Sequence, residues 1–350
     1  MTEGWRIGHI GPTPLHLARS WPVGVALLAV LYYTSLVRVM PPAEALGFAL
    51  VAVAGLFASV LLPEVSHGLA GMALRRPPRA YTLTIWGGHT SFREPERRPV
   101  DMALIALAGP VSNLALAAVL WGALLLTGGA LYWVLAPLAI LNVALGVFNL
   151  LPGLPMDGGH VVQAIGWAVT GKREQGMVLA GTLGRMVALG VAAWGVVQLA
   201  TGSGGVAGLW PLVIAAFLWQ GATQAVMVAR ARIAVADVDL RPLMAPATVV
   251  DGTARVGDVP PSGAVVFEAG RPAAVVSVEA LQQGAPADLP VGAVARALTP
   301  DSVLTLAHGP DAVAALVRAT RGGDVVVLVD GTRTWVGHLP TMLSRLPRWR

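Results

Sequence analysis

Six apolar runs dominate the chain, at roughly 22–38, 47–74, 102–127, 131–151, 177–200 and 207–229. Each approaches the ~20 apolar residues a helix needs to cross ~30 Å of hydrocarbon. A chain that is 55% hydrophobic and 12% charged, with mean hydropathy +0.67, has too little polar surface for an ordinary soluble domain. The expected fold is therefore a polytopic α-helical membrane protein of about six transmembrane helices, with the lipid bilayer as its solvent. There is no cysteine, so any bound metal must use His and carboxylate ligands. The net charge of +5 rests on Arg, with Lys172 as the single Lys. No basic stripe interleaves with aromatics, so nucleic acid is not expected as a partner.

Charge flanking the runs orients them. Arg6 and Arg19 precede the first; Arg75, Arg76, Arg79, Arg93, Arg97 and Arg98 follow the second; Lys172 and Arg173 follow the fourth; Arg230 and Arg232 follow the sixth. In a six-span chain these segments share one side, and the opposite loops offer little more than Arg38. The positive-inside rule then places the protein in the cell membrane with both termini cytoplasmic. Residues 1–21 read as a polar cytoplasmic leader, and the first span as an uncleaved signal anchor. Between the second and third runs, Tyr81-Thr82-Leu83-Thr84-Ile85-Trp86-Gly87-Gly88-His89 alternates before a Gly-Gly turn, predicting a hairpin near 80–92.

After the six-helix region (22–229) and a linker (230–240), the texture changes. Residues 241–346 are Val-rich and punctuated by Gly and Pro, with strand-like runs at 264–267, 273–276 and 325–329, which predicts a small soluble α/β domain. A weak repeat pairs 275–281 with 335–340, a layout that resembles a degenerate tandem CBS domain pair. In the nucleotide-binding pattern, the last strand ends in Ser or Thr followed three residues later by Asp. The Asp positions here read Ala280 and Leu343, and the second Ser/Thr position reads Pro340. No nucleotide-binding residue is assigned, and the expected role of the CBS-like domain is structural or homodimerising.

A charged group at the bilayer centre costs about 2.5–3.5 kcal/mol on insertion scales, so it faces a cavity, a partner or a metal. Glu64, His67 and Asp157 are such groups, and intramembrane charge is expected only around the second and fourth runs. Glu64 and His67 lie in Pro63-Glu64-Val65-Ser66-His67, which has the spacing of the metalloprotease pattern H-E-x-x-H with its first His replaced by Pro63. In the intact pattern two His, about 40° apart on one helix face, reach one metal while the Glu polarises its water. Asp157 lies in Asn149-Leu150-Leu151-Pro152-Gly153-Leu154-Pro155-Met156-Asp157-Gly158-Gly159-His160, where Pro and Gly break the fourth run. Broken backbone at membrane depth is tolerated only where it lines protein or water, so Asp157 should face an internal cavity.

With Ala108-Gly109-Pro110-Val111-Ser112-Asn113 on the third run, these motifs resemble the site-2 proteases, intramembrane zinc metalloproteases, over nearly the whole chain. The resemblance implies one Zn2+ per chain, His67 and Asp157 as ligands, Glu64 as general base, and Asn113 and Asn149 as helpers in holding a membrane-embedded protein substrate. It also implies that the hairpin offers an edge to an extended substrate. Pro63 removes one ligand, worth roughly 2.5–4 kcal/mol if ~10–16 kcal/mol of zinc binding is shared among four. It also lacks an N–H for the Ser59 carbonyl and should kink the second span. His89 and His160 are the candidate replacement ligands. The implied activity is intramembrane proteolysis, impaired by Pro63; the alternative is a pseudoprotease that binds membrane substrates without cutting. A transporter would show polar groups along several spans or inverted repeats, and neither is apparent.

Overall fold

The computed structural model describes residues 4–84, 87–127, 129–202 and 205–346, which form two compact units, Met1–Ala229 and Arg230–Arg350. The first opens with strands β1 (Gly4–Ile10) and β2 (Thr13–Ala18), helices α1 (Trp21–Leu36) and α2 (Pro42–Ala73), and strands β3 (Pro78–Thr84) and β4 (Gly87–Phe92). Helices α3 (Pro99–Thr127), α4 (Tyr132–Asn149), α5 (Asp157–Thr170), α6 (Arg173–Ala200) and α7 (Trp210–Ala234) follow.

Among the described residues, five helices are long and apolar enough to cross a membrane: α2, α3, α4 with the turn before it, α6 and α7. The first apolar run gives a helix of 16 residues, about 24 Å long, so the expected six spans become five by length and one shorter apolar helix. Beyond the fourth run, where only a broken segment was expected, α5 adds a 14-residue helix. Helix α2 runs unbroken through Pro63.

The region expected to be a polar leader is instead a hairpin, with residues 1–3 outside the described part. β1 pairs antiparallel with β2, and β2 pairs parallel with β3, extending the expected hairpin into a four-stranded sheet of order β1-β2-β3-β4. A parallel pair needs a long crossover, and α1 and α2 supply it. The sheet's buried face carries Leu15, Tyr81 and Leu83 onto Phe57, Val60 and Leu61 of α2. Tyr81 fits because α2 has glycine beneath it: a Cβ on Gly68 would lie 2.0 Å from the Tyr81 hydroxyl. The expected Gly-Gly turn is corrected as well. Thr84 pairs with Gly87 and Leu83 with Gly88, so both glycines belong to β4, and Ile85 and Trp86 lie outside the described residues.

The second unit holds two four-stranded sheets. One, in order β6-β7-β8-β9, follows a short β5 (Ala245–Pro246) and comprises β6 (Thr248–Asp251), β7 (Ala264–Glu268), β8 (Arg271–Val276) and β9 (Arg296–Ala297), with α8 (Val278–Gln282) inserted after β8. The other, in order β10-β11-β12-β5, comprises β10 (Val303–Leu304), β11 (Val325–Asp330), β12 (Arg333–His338) and the earlier β5, with α9 (Gly309–Ala319) after β10 and α10 (Leu339–Arg345) at the end. Both sheets present apolar residues to a helix: Ala264, Val266 and Val276 in one, Val326 and Leu328 in the other. The repeat is therefore real at the level of strands, but its register differs from the one read in sequence. Ala264 pairs with Val276 and Val326 with Gly337, so Ser277, the N-cap of α8, corresponds to His338, the N-cap of α10. The counterpart of Ala280 is then Thr341 rather than Leu343, because inward-facing partners, not sequence likeness, set the alignment.

Candidate active site

Glu64 and His67 stand one turn apart on α2, 7% and 8% exposed, and each is held from a different direction. The Thr90 hydroxyl of β4 reaches Glu64 at 2.7 Å from Oε2 and 2.9 Å from the backbone carbonyl oxygen. Gly88, two residues earlier on the same strand face, leaves room for this carboxylate, since a Cβ there would lie 2.4 Å from Glu64 Cγ. His67 Nδ1 lies 2.6 Å from the Ile105 carbonyl oxygen on α3, which can only accept, so Nδ1 carries the proton. One turn further on α3, Gly109 makes space for the ring; a Cβ there would lie 2.3 Å from His67 Nε2.

Asp157 arrives from α5, and its Oδ2 lies 3.3 Å from His67 Nε2. Its position follows from the glycines behind it. On Gly158 a Cβ would meet the Leu150 carbonyl oxygen at 2.4 Å, and on Gly159 it would meet Leu154 N at 2.2 Å. The loop 150–156 folds back against the first turn of α5, and only Gly permits so close a backbone approach. The loop is also gripped from behind, where a Cβ on Gly184 of α6 would lie 2.1 Å from the Leu154 carbonyl oxygen.

Glu64, His67 and Asp157 line one cavity of about 290 Å3, together with Gly88, His89 and Thr90 from β4. Glu96 and His160 line it too. With Nδ1–H committed to Ile105, the Nε2 lone pair of a neutral His67 would face a carboxylate. That arrangement requires a cation between them, either a proton on Nε2 or a metal. The 3.3 Å separation is also the edge of a tetrahedron with bonds of about 2.0 Å, so this donor pair suits zinc. The set nevertheless falls short of the three protein donors usual at catalytic zinc. Pro63 is buried and brings no donor atom, Glu96 is engaged by Arg173, and among the described residues no three His, Asp or Glu side chains form a metal-binding group. His89 and His160 line the cavity with exposed side chains, and neither forms a three-donor group with His67 and Asp157 among the described residues.

The other residues singled out in the sequence lie apart from this cavity. Asn113 is fully buried on α3, and neither polar atom of its side chain has a hydrogen-bond partner among the described residues. Asn149 is half-buried at the end of α4. Three polar residues escaped the sequence reading. Thr90 sits in the predicted hairpin, but nothing local marked it as the partner of Glu64. Asn142 of α4, buried within an apolar run, donates to Ser59 Oγ at 2.8 Å, and its isolation in that run was a visible signal. Arg185 of α6 is a third site of intramembrane charge, so such charge is not confined to the second and fourth runs.

The Peptidase family M50 model matches residues 129–192. "Putative zinc metalloprotease sll0528" of Synechocystis is 28% identical over 233 residues, 63% of this chain and 59% of that protein. "Putative zinc metalloprotease Rip3" of Mycobacterium tuberculosis is 34% identical over 179 residues, 48% of this chain and 44% of that protein. The chain thus spans about half the length of these curated relatives. Among solved structures, the site-2 protease from Methanocaldococcus jannaschii aligns with a TM-score of 0.45 and 22% identity, over 64% of this chain and 95% of that one.

Proposed function

We propose that this chain, a relative of peptidase family M50 that resembles the site-2 proteases, is an intramembrane protease scaffold acting on membrane-embedded protein segments, with a zinc site left one ligand short by Pro63. The observation that carries this reading is the convergence of Glu64, His67 and Asp157, from two helices remote in sequence, on one cavity walled by a strand edge. Zinc, held by His67 and Asp157, would supply Lewis-acid activation of water. What the chain's own residues do can be stated without it. β4 is an edge strand of its sheet, and its free backbone groups can hold an unwound substrate segment extended beside the cavity. Glu64, fixed by Thr90, is a carboxylate aimed at that segment and able to take a proton from an attacking water at Oε. Asp157 holds the His67 ring against the carbonyl that fixes its tautomer.

The second reading is a pseudoprotease that binds such segments without cutting, and the observation that favours it is a donor set short of the three protein ligands usual at catalytic zinc among the described residues. In either case, with the shorter α1 counted as a sixth crossing because β2 and β3 pair in one sheet on the same side of α1 and α2, the basic flanks support a cell-membrane protein with cytoplasmic termini and a cytoplasmic CBS-like domain, which on this reading pairs two copies of the chain. Two measurements separate the readings. In liposomes with a single-span substrate, Glu64→Gln should lower cleavage by at least about 10²-fold while substrate binding persists. Elemental analysis of purified protein should find more zinc in Pro63→His than in the natural chain. Cleavage by Pro63→His alone would establish the non-cutting form; cleavage insensitive to Glu64→Gln would overturn the site assigned to Glu64, and no cleavage by either form would overturn the enzyme.

A further inference from the structure

Arg185 sits midway along α6, eight residues and so about 12 Å of helix inside the apolar run that begins near 177. An Arg side chain cannot span that distance to the headgroups, and a charge at such depth normally has a partner. The chain provides only part of one. Nε donates to Thr223 Oγ1 of α7 at 3.2 Å, and the guanidinium lies over the Trp219 ring at 5.7 Å. No carboxylate lies within ion-pair distance of it, and Nη1 and Nη2 donate to nothing, among the described residues. The two terminal nitrogens are the fork that grips a carboxylate through two parallel bonds.

The surroundings face outward. Thr182, Met186 and Leu189 flank Arg185 on the same face of α6 and are exposed, as are Gln220 and Gln224 beside Thr223 on α7. A polar strip on the lipid side of two spanning helices has no solvent to satisfy it, and interhelical hydrogen bonds are the usual remedy. A second copy of this chain cannot provide the carboxylate: Glu64 and Asp157 line the cavity, and Glu44, Asp101 and Glu174 stand in the first turns of their helices, away from mid-span.

We propose that the outer face of α6 and α7 is a docking surface for a transmembrane helix of another protein that carries an Asp or Glu near the bilayer midplane, with Arg185 as the carboxylate clamp and Thr223 and Trp219 fixing the guanidinium. This rests on the helices spanning the membrane and not on proteolysis, so it stands or falls separately from the protease reading.

The test uses the absence of native cysteine. Full-length Met186→Cys is reconstituted in liposomes with a single-span poly-Leu helix bearing one Cys and, at mid-span, either Glu or Gln. Disulfide formation should favour the Glu helix over the Gln helix by about tenfold, the scale of a polar interhelical contact. Val119→Cys, on the exposed face of α3, should show no preference. Adding Arg185→Gln should abolish the preference, and Arg185→Glu should transfer it to an Arg-bearing helix. Equal cross-linking of Glu and Gln helices at Met186→Cys overturns the proposal even if the Arg185 variants misfold. So does a preference unchanged by Arg185→Gln, or one that disappears when anionic lipid is added, which would assign the strip to lipid phosphate.

Discussion

The charged cluster around Glu64 and the charge at Arg185 resolve the cost of burial in opposite ways. Around Glu64, His67 and Asp157, each side chain meets another polar group of the same chain: Thr90 on the carboxylate, the Ile105 carbonyl on Nδ1, Asp157 on Nε2. Small residues let those groups close up, with Gly88 under Glu64 and Gly109 under His67. Around Arg185 the chain supplies one hydroxyl and one ring, and the remaining donors face outward. The first region is folded around its own charges; the second leaves part of its charge for something else to meet. The contrast matters because the cost of a buried charge is similar in both, and only the location of the compensating group differs.

The largest expected effect tests the closure of the first region. Gly109→Ala puts a methyl 2.3 Å from His67 Nε2 and 2.5 Å from Cε1, in a ring that cannot retreat while Nδ1 stays on Ile105. It should destabilise the protein by about 1–3 kcal/mol, as overpacked cores do, and eliminate whatever activity depends on His67. Gly190→Ala is the control: nothing lies within 4 Å of its Cβ, and a helix gains up to ~1 kcal/mol from the exchange. Thermal unfolding in detergent should move the two variants in opposite directions. If Gly109→Ala is as stable as Gly190→Ala, the closed packing around the cavity is wrong.

A smaller effect sharpens the same side. Asn142 Nδ2 donates to Ser59 Oγ at 2.8 Å, and Ser59 in turn bonds Gly55 O at 2.8 Å, one turn before Pro63. Asn142→Leu and Ser59→Ala, alone and together, should show a coupling of about 0.6–1.7 kcal/mol, the range found for polar contacts between membrane helices. Additive effects would mean that the pair is adjacent without being coupled, and that the inner region owes its order to glycine packing alone.

How much of this could be read from sequence depends on distance along the chain. The apolar runs were legible because transfer energetics act on composition alone, although a length limit trims the first to a 16-residue helix. The two motifs that bring Glu64, His67 and Asp157 to one cavity were legible as spacing. The glycines of those motifs were visible as letters, but their reason was not. Gly159 matters because Leu154 folds back onto it, and Gly109 because an imidazole from another helix lies against it. The first sheet shows the same limit. Trp5-Arg6-Ile7-Gly8-His9-Ile10, then Gly11-Pro12 and Leu15-His16-Leu17, carries a period of two with a turn between, yet its pairing partner Tyr81-Thr82-Leu83 lies beyond two helices. Thr90 was hidden for the same reason, whereas Asn142 and Arg185 were visible as single polar letters in apolar runs and needed only to be weighed.

The smallest expected effect belongs to the second region and is the most direct attack on the contrast. If the strip around Arg185 serves an external partner, the isolated protein should lose little when the charge is removed. Arg185→Leu forfeits one hydrogen bond to Thr223 and the approach to Trp219, and it relieves a guanidinium whose terminal nitrogens have no acceptor in the described chain. These terms oppose one another, so the unfolding free energy in neutral detergent should change by no more than about 0.5 kcal/mol, as for substitutions outside a packed network. A loss on the scale of Gly109→Ala would mean that Arg185 holds α6 against α7 as His67 holds α2 against α3, and the two regions would then be one kind of structure. A near-neutral result, beside a large loss at Gly109, leaves the difference in place: one charge cluster is part of the fold, and the other is carried by it.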